Sequence, residues 1–215
     1  MSSSSAKRMI VAGLGIVLVA GAGTWMAAAR DTGARRMPAT TQARSVEAAA
    51  PVAAASTGEL AEFRDDQAGF ALSYPTAWVR VTAPNPQIVL VAAEHDPAKN
   101  QGGSILVRVT PLDAPVGKAQ LAEARKVTDA IVSSSDGLVL KAEPTETEQG
   151  GLPGIYYLYA FHDPVSGLTG VHSHFFLFKD RTMISLVFQA LPQDDFGRLA
   201  PLFDRVAGSL RVLQP

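Results

Sequence analysis

Between Ile155 and Leu191 run three apolar segments, Ile155–His162, Val171–Lys179 and Met183–Leu191, separated by DPVSGLTG and by a short turn at Asp180-Arg181. Each is rich in Tyr, Phe, Val and Ile, and each is strand-length, so the spacing predicts a three-stranded antiparallel meander. Alternate side chains of a strand point to opposite faces. Ile155, Tyr157, Tyr159 and Phe161 therefore oppose Tyr156, Leu158 and Ala160, while Phe175 and Leu177 oppose Phe176 and Phe178. Ile184, Leu186 and Phe188 oppose Met183 and Val187 in the same way. Both faces are apolar, which a sheet with one wet face would not show. Such a sheet needs a cover on each side.

Two helical patterns can supply the covers. In Gly117–Val132, Leu121, Ala124, Val127 and Ile131 fall on one stripe. In the last twenty residues Phe196, Leu199, Phe203, Val206 and Leu210 recur at helical spacing, with Asp194 and Asp195 placed as caps. Pro201 falls inside that pattern and predicts a bend or restart. Earlier strands are predicted at Glu59–Arg64, Phe70–Tyr74, near Trp78–Val81, at Ile88–Ala93 and at Ser104–Leu112, with an acidic edge strand over Leu138–Thr147. The expectation is an α+β domain: an antiparallel sheet of about seven strands covered by helices on both faces.

The amino-terminal quarter differs in kind. Ile10–Ala29 is twenty residues without a charge, long enough as a helix to cross a bilayer core of about 30 Å. Lys7 and Arg8 precede it, and Ala27-Ala28-Ala29 offers small residues at its end, so it reads as a transmembrane signal anchor or a cleavable signal peptide. Arg30, Arg35, Arg36 and Arg44 follow it and pull the other way on orientation, but long domains translocate largely regardless of flanking charge. The expected organisation is a cytoplasmic tail at 1–9, the span at 10–29, an Ala/Pro/Thr linker at 30–58 too poor in large side chains to order itself, and one domain at 59–215 outside the cytoplasm.

That domain holds thirteen Lys+Arg against eighteen Asp+Glu. Net acidity without a basic cluster argues against nucleic-acid binding. The absence of Cys excludes disulfides, thiol nucleophiles and a lipidated N-terminal cysteine. Asp65-Asp66 and Asp194-Asp195 lack the ligand spacing of a calcium loop, and the serines at 133–135 lack a nucleophile-elbow context. No cofactor is expected. His172 and His174 share a strand face and His162 ends the preceding strand, so these three are the candidate metal ligands, set against packing or hydrogen bonding within the sheet. Trp78, Tyr156, Tyr157 and Tyr159 are the candidate partner- or ligand-binding residues, set against a core role, because Trp and Tyr bury area while keeping a polar handle.

GFALSYPTAWVRV at 69–81, after a short acidic turn, resembles the opening of PsbP-like domains. So does the ending: the strand from His174-Phe175 to Phe178, the Asp180-Arg181 turn, the Ile184–Ala190 strand and a helix closing in Ser209-Leu210. The resemblance, which extends to the LpqN-like members of exported actinobacterial proteins, implies the fold described above and a non-enzymatic assembly or binding role. No functional residue of the family maps onto a position here. The function expected is a membrane-tethered module acting on an envelope protein or membrane complex. A carrier of lipid or another small hydrophobic ligand is the alternative, and a hydrolase with a dispersed site the remote one.

Overall fold

A computed structural model describes residues 58–83, 85–95, 101–134 and 137–214. The span expected at 10–29, the tail before it and the linker up to residue 57 lie outside the described residues. Among those described, no helix is long and apolar enough to cross a membrane.

The three apolar segments form β8 (Leu152–His162), β9 (Thr169–Lys179) and β10 (Thr182–Leu191). They sit in a main sheet with β3 (Val79–Arg80), β4 (Ile88–Ala93), β5 (Gly102–Pro111) and β6 (Val139–Leu140), in the order β3-β4-β5-β10-β9-β8-β6. β7 (Thr145–Gln149) also pairs with β8, making eight strands. All strand pairings among the described residues are antiparallel.

Two expectations are corrected here. The first strands do not join the main sheet. β1 (Leu60–Asp65) and β2 (Phe70–Pro75) form a separate three-stranded sheet, with β11 (Arg211–Val212) on the other side of β2. A sequence pattern reports the period of a strand and not the sheet that receives it. The segment Leu138–Thr147 also divides, into β6 and β7, which pair with the two halves of β8.

The β1–β2 turn is built locally. The Asp65 carboxylate accepts the Ala68 N–H at 2.9 Å, and Gly69 adopts φ 71°, a conformation that costs glycine little.

α2 (Phe196–Gly208) and the small sheet together cover one face of the main sheet. Phe70 and Leu72 of β2 and Leu199, Phe203 and Val206 of α2 join Leu90, Ile105, Val107, Phe175, Leu177, Leu186 and Phe188 in the larger core. Phe188 stacks on Phe203 at 4.9 Å and meets Phe175 edge-on at 6.2 Å. Arg198 fixes α2 to the end of β4 with two bonds to Glu94, at 2.7 and 2.9 Å, and the Gly103 N–H donates to the same carboxylate. The Arg198 guanidinium holds the Glu94 carboxyl below its ordinary range.

α2 runs through Pro201 without the expected restart. Pro201 lies so near the helix start that the bond it forfeits is one to the first turn, at Gly197. Asp195 makes no capping bond from its side chain; its carboxylate turns to Arg198 at 3.4 Å.

α1 (Leu121–Ser133) lies on the opposite face. Its buried stripe is Leu121, Ala124, Thr128 and Val132, so the expected stripe is corrected at its middle: Val127 is 46 % exposed and Ile131 only half-buried. The helix is rotated to bury Thr128, whose hydroxyl lies 2.6 Å from Tyr157 Oη. A buried tyrosine hydroxyl needs a polar partner, and that need outweighs one valine.

Replacing Phe188 with Ala removes the ring at the centre of the larger core. The expected loss, read from urea unfolding, is about 3–5 kcal/mol.

Candidate functional site

Directly opposed residues on neighbouring strands share a face. On the α1 face the register therefore lays out cross-strand rows. One is Val91–Leu106–Val187–His174–Tyr157, across β4, β5, β10, β9 and β8. The next is Ala93–Ser104–Gln189–His172–Tyr159, which ends on Leu140 of β6. α1 covers the β8 end of these rows, where Ile155, Tyr157, Tyr159, Phe176, Phe178 and Met183 form the smaller core with it. Val91, Leu106 and Val187 are half-buried and belong to neither core.

The candidate tyrosines divide between the two faces. Tyr156 lies on the α2 face, half-buried, with its ring 4.8 Å from Phe175 and its hydroxyl accepting from Ser173 at 3.3 Å. Tyr157 lies beneath α1, donates to Asp129 at 2.7 Å and stands edge-on to Phe176. Burial raises its pKa above the ordinary tyrosine value. Tyr159 is buried beside two histidines, and burial raises its pKa likewise. Trp78 is 8 % exposed within the larger core. A Cβ added at Gly103 would come within 2.9 Å of both Trp78 and Leu199, so a glycine at 103 is what lets strand, indole and α2 close together.

The candidate metal ligands are not brought together as a trio. His162 is exposed, and its position along β8 puts it on the face opposite to His172 and His174. Among the described residues no group of three or more His, Cys, Asp or Glu is placed to hold a metal. His172 and His174 instead converge on Tyr159. Their Nδ1 atoms lie 3.3 and 3.1 Å from its Oη, and His172 Nε2 lies 3.0 Å from Gln189 Oε1. Phe161 packs on the His172 ring at 4.2 Å and Phe176 on the His174 ring at 3.9 Å. Burial lowers His172 from 6.5 to about 4 and His174 to about 3, so both rings are neutral at physiological pH. Asp163, the nearest acid in sequence, is turned to the β8–β9 loop, where it accepts from the Ser166 N–H and hydroxyl at 2.8 and 2.5 Å.

A residue set that the sequence did not single out stands at the sheet margin. β6 ends the main sheet, and its two side chains, Val139 and Leu140, are 59 % and 49 % exposed. Leu140 shares its face with Tyr159 and Val139 the other face with Ala160. The edge is therefore aliphatic on both sides. The sequence signal was available as three adjacent aliphatics, Leu138 to Leu140, beside Gly137, but it reads equally as an ordinary strand start.

No family model and no curated protein matches this sequence. Solved structures do. LpqN of Mycobacterium tuberculosis, a protein involved in cell envelope biogenesis, is similar at a TM-score of 0.53 and 10 % identity, over 74 % of this chain and 87 % of LpqN. A Bacteroides thetaiotaomicron protein is similar at a TM-score of 0.51 and 15 % identity over 71 % of this chain, which spans only 48 % of that protein's length. Cyanobacterial PsbP from Synechocystis is similar at a TM-score of 0.49 and 17 % identity, over 77 % of this chain and 98 % of that one. The chain shares its fold with LpqN, one of the proteins to which the resemblance of its opening and closing segments extends.

Neutral buried histidines set a pH dependence. The groups they meet, Tyr159, Gln189, Phe161 and Phe176, carry no charge at neutral pH. A histidine with a depressed folded-state pKa binds fewer protons folded than unfolded. Stability is thus complete above the unfolded value of 6.5 and falls as pH drops from there toward 4. Urea midpoints measured between pH 7 and pH 4.5 are expected to decline, each histidine contributing up to about 1.4 kcal/mol per pH unit. Replacing both with Phe removes that part of the slope. Tyr159→Phe strips both Nδ1 atoms of their partner and is expected to cost about 1–3 kcal/mol at pH 7 in the same measurement.

Proposed function

We propose that this domain is a non-enzymatic binding module, carried on the outer side of a cell membrane, that holds a protein partner along the β6 edge. The observation that carries the reading is the edge itself. A terminal strand presents unpaired backbone groups, and proteins ordinarily blunt such edges with charge, proline or a covering element. β7, the neighbouring edge segment, follows that rule with exposed Glu146 and Glu148, the latter paired to Lys118 at 2.6 Å. β6 breaks it with exposed Val139 and Leu140. A partner that adds a strand there would satisfy the backbone and cover the aliphatic side chains together.

The compartment rests on two supports. The apolar segment at 10–29, with basic residues before it, has the composition of an export signal or anchor. The fold is also that of LpqN, which is involved in envelope biogenesis. The histidine cluster, two neutral rings about one tyrosine hydroxyl, does not converge a nucleophile, a base and a third orienting group, which favours binding over catalysis.

The test is capture of the full-length protein from its native membranes, with mass spectrometry of proteins and lipids on one eluate. A near-stoichiometric protein is expected with the wild-type chain, and its loss with V139K/L140K at an unchanged urea midpoint. Equal capture by the variant would remove the edge from the site. Absence of any near-stoichiometric protein from the wild-type eluate would remove the module reading itself.

A further inference from the structure

We propose that the α1 face of the main sheet binds a small apolar molecule carrying a hydroxyl, the hydroxyl donating to His174 Nε2 and the apolar body lying across Val187, Leu106 and Val91. The site is separate from the β6 edge and does not depend on the protein-partner reading.

The argument begins with hydrogen bookkeeping. Gln189 Oε1 can only accept, so His172 donates to it from Nε2, 3.0 Å away. A neutral imidazole carries one N–H, so His172 Nδ1 is an acceptor, and Tyr159 Oη donates to it at 3.3 Å. Having used its proton, Tyr159 Oη accepts from His174 Nδ1 at 3.1 Å. The second nitrogen of His174 is then fixed as a lone pair. His174 Nε2 is buried, with no hydrogen-bond partner among the described residues, in a side chain only 7 % exposed. A buried polar atom left unpaired is destabilising, and the neutral chain from Gln189 leaves His174 Nε2 an acceptor that lacks only a donor.

The surroundings define the rest of the molecule. Val187 is the direct neighbour of His174 on β10, followed by Leu106 on β5 and Val91 on β4. All three are half-buried, and neither core takes them up. Three strand spacings of about 4.8 Å separate His174 from Val91, so the row offers about 14 Å of apolar floor to one polar end. The polarity of that end follows from the lone pair. A hydroxyl can donate; an ionised carboxylate cannot, and would bring an unpaired charge against a neutral, desolvated imidazole. The ligand class is thus an alcohol and not an acid.

Decanol and decanoate match the row in length and differ in this one property. Each is titrated into purified full-length protein at pH 7 while the histidine side-chain nitrogen resonances are followed. Decanol is expected to move the His174 Nε2 resonance saturably and to bind at least about tenfold more tightly than decanoate. Val187→Lys, at an unchanged unfolding midpoint, is expected to weaken decanol about tenfold or more; Leu106→Lys serves if the first variant does not fold. No saturable shift, equal or tighter binding of decanoate, or indifference to both lysine variants would overturn the proposal. Loss of protein capture in V139K/L140K with decanol binding intact would separate the two sites.

Discussion

The architecture depends on β9 being buried on both faces. From Gly170 to Phe178 its residues are all buried, and its alternate side chains feed different cores: Phe175 and Leu177 the larger, Phe176 and Phe178 the smaller. Sheet hydrogen bonds to β8 and β10 satisfy its backbone, which leaves the two faces as the only free variables. Both must be covered, and the two covers are unequal. α2 and the small sheet close one face, whereas among the described residues the other is covered by α1 with Leu112, Val116 and Leu138 beside it, toward the β8 end. The half-buried row on β4, β5 and β10 and the exposed β6 edge are both products of that inequality.

The polar groups inside the smaller core follow the same logic. Tyr157 and Tyr159 bring hydroxyls under α1, and each needs a partner. Tyr157 finds it in the helix, at the expense of rotating Val127 outward. Tyr159 finds it within the sheet, from histidines placed two residues apart on β9. His172 and His174 are thus neighbours because the strand period puts them on one face, and they are neutral because burial withholds water from the charged form.

Much of this was legible in the sequence. The period-two pattern of the late strands gave both faces correctly, residue by residue, because a strand's geometry leaves no other choice. The two helices and the meander loops were legible for the same reason. What was not legible depends on contacts distant in sequence. Nothing in FALSYP says that β2 pairs with Arg211-Val212 and not with the main sheet. Nothing in the spacing of α1 says that Thr128 outranks Val127, since the deciding atom is a hydroxyl on β8. Trp78 and the tyrosines were singled out for one physical property, large area with a polar handle. The sequence alone did not distinguish a handle used internally from one offered to a partner. An edge strand was expected over Leu138–Thr147, but the exposure of Val139 and Leu140 was not, because exposure is set by what fails to cover a residue.

The small sheet has a consequence for the order in which the chain can fold. β2 lies between β1, the first strand of the domain, and β11, the last, and Val212 pairs with Phe70 across nearly the whole length of the domain. Phe70 and Leu72 face the same core as Phe203 and Val206. As a nascent or translocating polypeptide emerges from its amino terminus, those two side chains remain without their final neighbours until α2 has followed. Closing so long a loop carries an entropic cost that no local contact offsets in advance. The domain is therefore built to complete its larger core in a single late step, and a chain halted short of residue 203 holds a finished meander with one apolar face still open.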